Sequence, residues 1–242
     1  MARYLLAEHV FVCVDGEQVV FLDVRADRYW ALEAAATAGL EAVIRGWPVP
    51  ASVPASVTPD RLVDPQQSDP VADATPLIER GLITEIAAGG KDATPVRAEP
   101  ASGEVSSAGP EAARSGSWMK FVAAALTAKF LLRCCSFERV IRRVKVRKSS
   151  GRAAREPLDL ERVRVLLAAF SHHRVFLFAS KDECLYDSLA LLEFLARHEL
   201  YPDWIFGVQT RPFAAHCWVQ QGGLVFNDTA EHVSGFTPIM VV

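Results

Sequence analysis

The chain has 242 residues, half of them hydrophobic and 23% charged, which supplies a packed core and excludes global disorder. The formal net charge of -3 is unevenly spread: residues 1–86 carry 6 basic against 13 acidic side chains, 87–117 carry 3 against 4, 118–155 carry 11 against 1, and 156–242 carry 6 against 11. An amino-terminal block of net -7 repels phosphates, which excludes nucleic acid as its partner.

The first 86 residues read as a small α+β module. His9–Val14 and Glu17–Asp23 are β-rich runs separated by Asp15-Gly16, a preferred two-residue hairpin turn. That turn sets Val12 against Val19 and Val10 against Phe21. A third strand is expected at Arg28–Leu32, then a helix over Glu33–Arg45 ended by Gly46 and Pro48. Residues 48–76 hold 7 of the 14 prolines and read as loop with short helical turns. Thr75–Arg80 is expected as helix, and Leu82–Ile86 as a short strand.

Residues 87–117 are expected to be a flexible linker. Of these 31 residues, 21 are Ala, Gly, Ser or Pro, and only Val96 and Val105 are apolar beyond alanine. Such a segment buries too little surface to offset its ordering entropy. The predicted organisation is therefore 1–86, a linker over 87–117, and a second domain over 118–242.

Helix is expected over 118–150, ending in the basic run Arg139–Lys148. Asp159 is placed to N-cap another helix reaching Phe170. Val175–Ala179 reads as an extended run, and Lys181–Glu199 as a helix. Strands follow at Trp204–Val208, Ala215–Gln220 and Leu224–Asn227. The basic segment 118–155 reads first as packed helix with a solvated basic face. Contact of the segment with nucleic acid, or of 121–148 with an acidic membrane surface, is the alternative.

The five cysteines are odd in number and form no CxxC pair, which argues against a disulfide framework or a zinc site. His172-His173 has no carboxylate or cysteine nearby at ligand spacing, so no metal site is expected. The start, Met1-Ala2-Arg3-Tyr4, does not read as a secretory signal, and the apolar stretch Phe121–Leu132 falls short of the ~20 residues of a membrane span. A reducing cytoplasm is the expected compartment. No GxGxxG or P-loop motif is present, so no nucleotide is expected to bind by such a motif.

Cys184 falls in the first turn of its predicted helix, where unpaired amides and the positive dipole end favour thiolate. Asp182 and Glu183 oppose this unless they point away. His216 lies on a predicted strand, sharing a face with Trp218 and Gln220 and opposite Cys217 and Val219. A three-residue loop at Gln221–Gly223 sets His216 against Asp228, and a two-residue turn sets it against Asn227. The first register is preferred, since Asp228 then fixes the imidazole tautomer. Cys184, His216 and Asp228 are thus the candidate nucleophile, base and orienter. Gln209 and Gln220 are candidate oxyanion donors, and Arg211 a candidate substrate contact.

A helix-borne Cys followed by His and Asp on neighbouring strands resembles the transglutaminase-like cysteine peptidases. Cys184-Leu-Tyr-Asp-Ser-Leu-Ala-Leu, then Phe206 through His216-Cys-Trp-Val, then Asn227-Asp228, resembles the leader peptidase of lasso-peptide biosynthesis, the B protein. The likeness covers about 118–242. Cys217 stands where a small residue is expected. The amino-terminal strands and helices, with Asp27-Arg28-Tyr29-Trp30, resemble the RiPP recognition element, a small winged-helix-like domain also seen as the pyrroloquinoline-quinone D protein. The fold class this implies is α+β: a winged-helix-like domain, with a three-stranded sheet plus helices, linked to a transglutaminase-like, papain-like peptidase domain.

The resemblance further implies that a precursor's leader peptide adds as a strand along Arg28, Tyr29, Trp30, Ala31 and Leu32 and rests near Leu77. It implies an asparagine-synthetase-like cyclase as partner, with any ATP dependence arising through that partner and no cofactor bound directly. Two other readings remain: acyl transfer by a transglutaminase or amidase with the same three residues, and a non-catalytic precursor-binding chaperone.

Overall fold

The computed structural model describes residues 3–37, 39–48, 70–105, 117–150, 159–174 and 184–242. Two compact units form. One comprises Met1–Arg97 with Val208–Ala214 and Thr237–Met240; the other comprises Ala98–Gly207, Ala215–Phe236 and Val241–Val242.

The first unit opens with β1 (Leu5–Ala7) and a meander of β2 (Val10–Asp15), β3 (Gln18–Asp23) and β4 (Arg28–Glu33). The meander is antiparallel in the order β2-β3-β4. Its first turn lies one residue later than expected, with Gly16 at φ 57, so that Val12 faces Phe21 and Val14 faces Val19. The pairing is displaced by an even step, so the inward set is unchanged. Val10, Val12, Val19 and Phe21 are all buried. The single helix expected over Glu33–Arg45 does not form. A 3-10 turn at Ala34–Thr37 and the short α1 (Leu40–Val43) replace it, because Gly39 takes the left-handed conformation at φ 90.

Next, α2 (Pro70–Glu79) is closed by Gly81 at φ 68. Then β5 (Ile83–Thr84) and β6 (Gly90–Lys91) pair on either side of β1. The core of this unit joins Leu6, Phe21, Leu40, Ile44, Trp47, Leu77 and Leu82. At the end of β2, the Asp15 carboxylate accepts hydrogen bonds from the Thr210 backbone N–H (2.8 Å), the Thr210 hydroxyl (2.6 Å) and the Thr237 hydroxyl (2.7 Å). Burial opposes ionisation of Asp15, and these donors reverse that, lowering its pKa.

The segment expected to be a flexible linker is held by backbone pairing through residue 105. Besides β6 on β1, Ala93 is buried and its N–H donates to Arg45 C=O at 2.8 Å. The strand β7 (Gly103–Glu104) runs parallel to Leu224–Val225. Counting apolar side chains missed this, because main-chain donors and acceptors do the holding. Residues 106–116 lie outside the described residues.

The second unit contains α3 (Trp118–Cys134), α4 (Phe137–Ser150), α5 (Leu160–Arg174) and α6 (Cys184–Ala196). After them in the chain come β8 (Asp203–Thr210), β9 (Phe213–Gln221), β10 (Leu224–Val225), α7 (Ala230–Ser234) and β11 (Thr237–Val241), of which Val208–Ala214 and Thr237–Met240 belong to the first unit. The sheet order is β11-β8-β9-β10-β7. The α+β class expected from the sequence holds. Helix over 118–150 divides at Cys135, which is extended. Asp159 accepts the Arg162 N–H at 3.1 Å, the expected cap. The run expected at Val175–Ala179 and the acidic pair Asp182 and Glu183 lie outside the described residues.

Part of the basic segment's charge is neutralised within the unit. α4 buries Val140, Ile141 and Val144 and exposes Arg139, Arg142 and Lys145. Glu193 of α6 has a side chain 2% exposed, and Arg147 donates to it at 2.6 Å while Arg197 donates at 3.1 Å. Lys148 pairs with Asp203. Arg147→Ala leaves a buried carboxylate with less compensation and is expected to cost about 3 kcal/mol, read by urea unfolding. Among the described residues no helix is long and apolar enough to cross a membrane.

Candidate active site

Cys184 is the first residue of α6, where the first-turn N–H groups lack intrahelical partners. The rest of the helix is anchored, with every residue from Asp187 to Leu195 buried. This fixes the sulfur's position while leaving Cys184 partly exposed. His216 sits on β9, between the rings of Trp218 (centroids 6.0 Å apart) and Phe236 (5.2 Å).

Asp228 reaches His216 by a route the sequence reading did not foresee. The strands β9 and β10 join through a two-residue turn at Gly222-Gly223, with Gln221 facing Leu224 and Gly222 at φ 58. The expected three-residue loop does not form. Beyond β10 the Phe226 N–H still donates to Val219 C=O at 2.9 Å, and the bends over 226–228 carry the Asp228 carboxylate to His216. His216 Nε2 and Asp228 Oδ2 lie 2.5 Å apart. Asn227, the other expected neighbour of His216, accepts the Val219 N–H at 2.8 Å and donates to Ser188 Oγ at 3.0 Å, tying β9 to α6.

With Nε2 on Asp228, Nδ1 is the nitrogen left for Cys184, which is hydrogen-bonded to His216. The sulfur also receives the thiol hydrogen and the backbone N–H of Cys217. Cys217 stands where a small residue was expected and faces away from His216 on the strand, yet it is among the hydrogen-bond partners of Cys184.

The electrostatics follow from these contacts. The Cys217 hydrogen bond, with His216 and against burial, lowers the Cys184 pKa to about 4. Burial pulls His216 down, but Asp228 and the thiolate outweigh it and raise it to about 9. Asp228 is held near 2 against burial by His216, His232 and the Thr229 N–H. The resting site is a thiolate–imidazolium pair backed by a carboxylate.

His232 was missed. Its Nδ1 lies 2.9 Å from Asp228 Oδ2, and its ring centroid 4.9 Å from that of His216. A signal was present: Thr229 caps α7 by accepting the His232 N–H at 3.2 Å, which sets residue 232 one turn beyond Asp228. His216, Asp228 and His232 also present ligand atoms within 4.8 Å of one another, a metal-like spacing the sequence reading did not anticipate. Hydrogen bonds account for these contacts.

Residues 123–241 match the Transglutaminase-like superfamily. A stretch of 62 residues is 37% identical to the Microcin J25-processing protein McjB of Escherichia coli, covering 26% of this chain and 28% of that protein. No solved structure matches.

Within the matched residues, Gly207 marks a close approach. A Cβ there would lie 2.9 Å from Phe236 Cβ and 2.9 Å from the Trp218 ring. Both groups flank His216. Gly207→Ala is expected to cost about 1–3 kcal/mol by overpacking and to displace the imidazole, read as a lowered melting temperature and a shifted His216 NMR titration. Gln220 is not an oxyanion donor: its amide donates to Glu99 C=O (2.7 Å) and Gly222 C=O (2.5 Å), and its oxygen accepts from Trp218.

The residues expected to bind a leader divide. β4 is an edge strand of its sheet, on which Arg28 and Ala31 are exposed. Trp30 and Leu32 pack on the core of the first unit, and Leu77 is 3% exposed within that core. Leu77 therefore presents no surface to a peptide. The Tyr29 ring meets that of Phe213 at 5.7 Å. Arg211, the candidate substrate contact, pairs with Glu17 at 2.6 Å.

Proposed function

We propose that this chain is a cysteine peptidase that removes the leader from a ribosomally made lasso-peptide precursor before a partner cyclase closes the macrolactam. The observation that carries the reading is the thiolate at Cys184 paired with His216 and backed by Asp228. The transglutaminase-like match and the partial likeness to a microcin-processing protein support it.

Cys184 attacks the scissile carbonyl, and first-turn N–H groups of α6 stabilise the oxyanion. The imidazolium of His216 protonates the leaving amine, which frees the core peptide. His216 then takes a proton from water, whose oxygen adds to the thioester and releases the leader acid. Asp228 holds the tautomer throughout.

The amino-terminal unit is a winged-helix-like recognition element that takes the leader as an added strand on the β4 edge, contacting Arg28 and Ala31. The cyclase is of the asparagine-synthetase type. The peptidase binds no cofactor itself, and any dependence on ATP comes through that cyclase. The compartment is the cytoplasm.

The test is incubation with the precursor encoded beside this gene, with and without the cyclase and ATP, followed by mass spectrometry. Leader and core products that together exceed the precursor by one water are expected. A transglutaminase reading is favoured by the superfamily match alone; it predicts a crosslinked product lighter by one ammonia.

A further inference from the structure

Cys184 is not the only thiol at the site. Cys217 is 2% exposed, and its S–H has two acceptors in reach: Ser188 Oγ at 3.9 Å and the Cys184 sulfur. It is held in place from several sides. Ser188, one turn after Cys184 on α6, donates its hydroxyl hydrogen to Cys217 C=O at 3.1 Å, and Asn227 holds Ser188 in turn at 3.0 Å. Ser188 therefore ties Cys217 to α6 one helical turn from Cys184.

The two sulfurs differ in chemistry. Cys184 is partly exposed and is the better nucleophile, since its hydrogen-bond donors favour the thiolate. Cys217 is buried, and burial pushes its pKa well up, so it stays a neutral thiol that peroxide in solution attacks poorly. An attacking thiolate beside a protected partner thiol is the arrangement of a peroxide-reactive cysteine with its resolving cysteine.

We propose that Cys184 and Cys217 form a reversible disulfide under hydroperoxide, so that Cys217 protects the Cys184 sulfur from irreversible oxidation. In the first step the Cys184 thiolate attacks one peroxide oxygen. An S–O bond forms, the O–O bond breaks, and hydroxide leaves; sulfur is oxidised and peroxide reduced. In the second step the Cys217 sulfur attacks the sulfenic sulfur. An S–S bond forms, the S–O bond breaks, and the thiol proton leaves with the hydroxyl as water. A dithiol reductant reverses the pair by thiol–disulfide exchange. While the bond is closed, Cys184 has no thiolate to offer a substrate.

The experiment uses the full-length protein and hydrogen peroxide in slight molar excess, then iodoacetamide, proteolysis and mass spectrometry. The expected product joins the peptides that contain residues 184 and 217, has lost two hydrogens, and returns to free thiols with dithiothreitol. In Cys217→Ser, Cys184 is expected to proceed to sulfinic and sulfonic acids that dithiothreitol does not restore. Wild-type protein in which Cys184 is over-oxidised while Cys217 stays a free thiol would overturn the proposal, as would pairing of Cys184 with exposed Cys134 or its neighbour Cys135. The wild-type peptide map decides the question even where the Ser variant folds poorly. The readout is mass and not turnover, so it stands whatever substrate the enzyme cleaves.

Discussion

Cys184→Ala is expected to lower precursor cleavage by on the order of 10^4-fold or more, with the precursor still bound. The substitution removes the atom that forms the thioester, and among the described residues neither nearby nucleophile can replace it: Cys217 is buried with its pKa well raised, and Ser188 is engaged with the Cys217 carbonyl and Asn227. It removes little packing, because Cys184 is partly exposed at a helix end. The far-ultraviolet spectrum and the melting temperature should therefore match the parent protein. Cleavage is read by mass spectrometry and leader binding by fluorescence anisotropy with labelled leader. Processing that survives at the parent rate would sink the peptidase reading and leave a precursor-binding chaperone in its place.

The second large effect concerns pH. With Cys184 near 4 and His216 near 9, kcat/KM is expected to be flat across neutral pH and to fall at both ends. On the acid side the thiolate takes up a proton and nucleophilicity is lost. On the alkaline side the imidazolium gives up the proton that the leaving amine needs. Asp228→Asn removes the carboxylate that raises His216, so the alkaline limb should move down. The thiolate loses part of its cationic partner, so the acid limb should move up. The bell narrows from both sides, and the rate at its centre should drop by roughly 10^2- to 10^4-fold. An unchanged profile in Asp228→Asn would show that the contact between His216 and Asp228 has no part in the reaction.

The sequence carried the chemistry of this site further than its geometry. Residue type and order were enough to single out Cys184, His216 and Asp228, because a helix start and a β-run are short-range features. The hairpin between β9 and β10 was misread, since Gln221-Gly222-Gly223 is compatible with more than one turn and the choice rests on how Asn227 ties to Ser188. The expected pair formed even so, because the chain bends over residues 226–228 and Asp228 does not depend on ladder register. Cys217 illustrates a different limit. Period-two alternation places side chains on opposite faces but does not say that one residue of a neighbouring helix will interact with both. The broken helix after β4 was legible in principle at Gly39, which alanine-rich flanks disguised. The held segment 87–105 was not, because its composition is that of a loop and its order comes from main-chain pairing with residues far along the sequence.

The Asp15 carboxylate draws its three hydrogen bonds from Thr210 and Thr237, which are nearly two hundred residues or more further along the chain, so the first unit is not completed until the last strand has been synthesised. No single junction separates the two units. A graft that moves residues 1–97 into another protein takes Asp15 without the donors that hold it ionised. A fragment that stops at residue 97 lacks Val208–Ala214 and Thr237–Met240, which belong to the same unit.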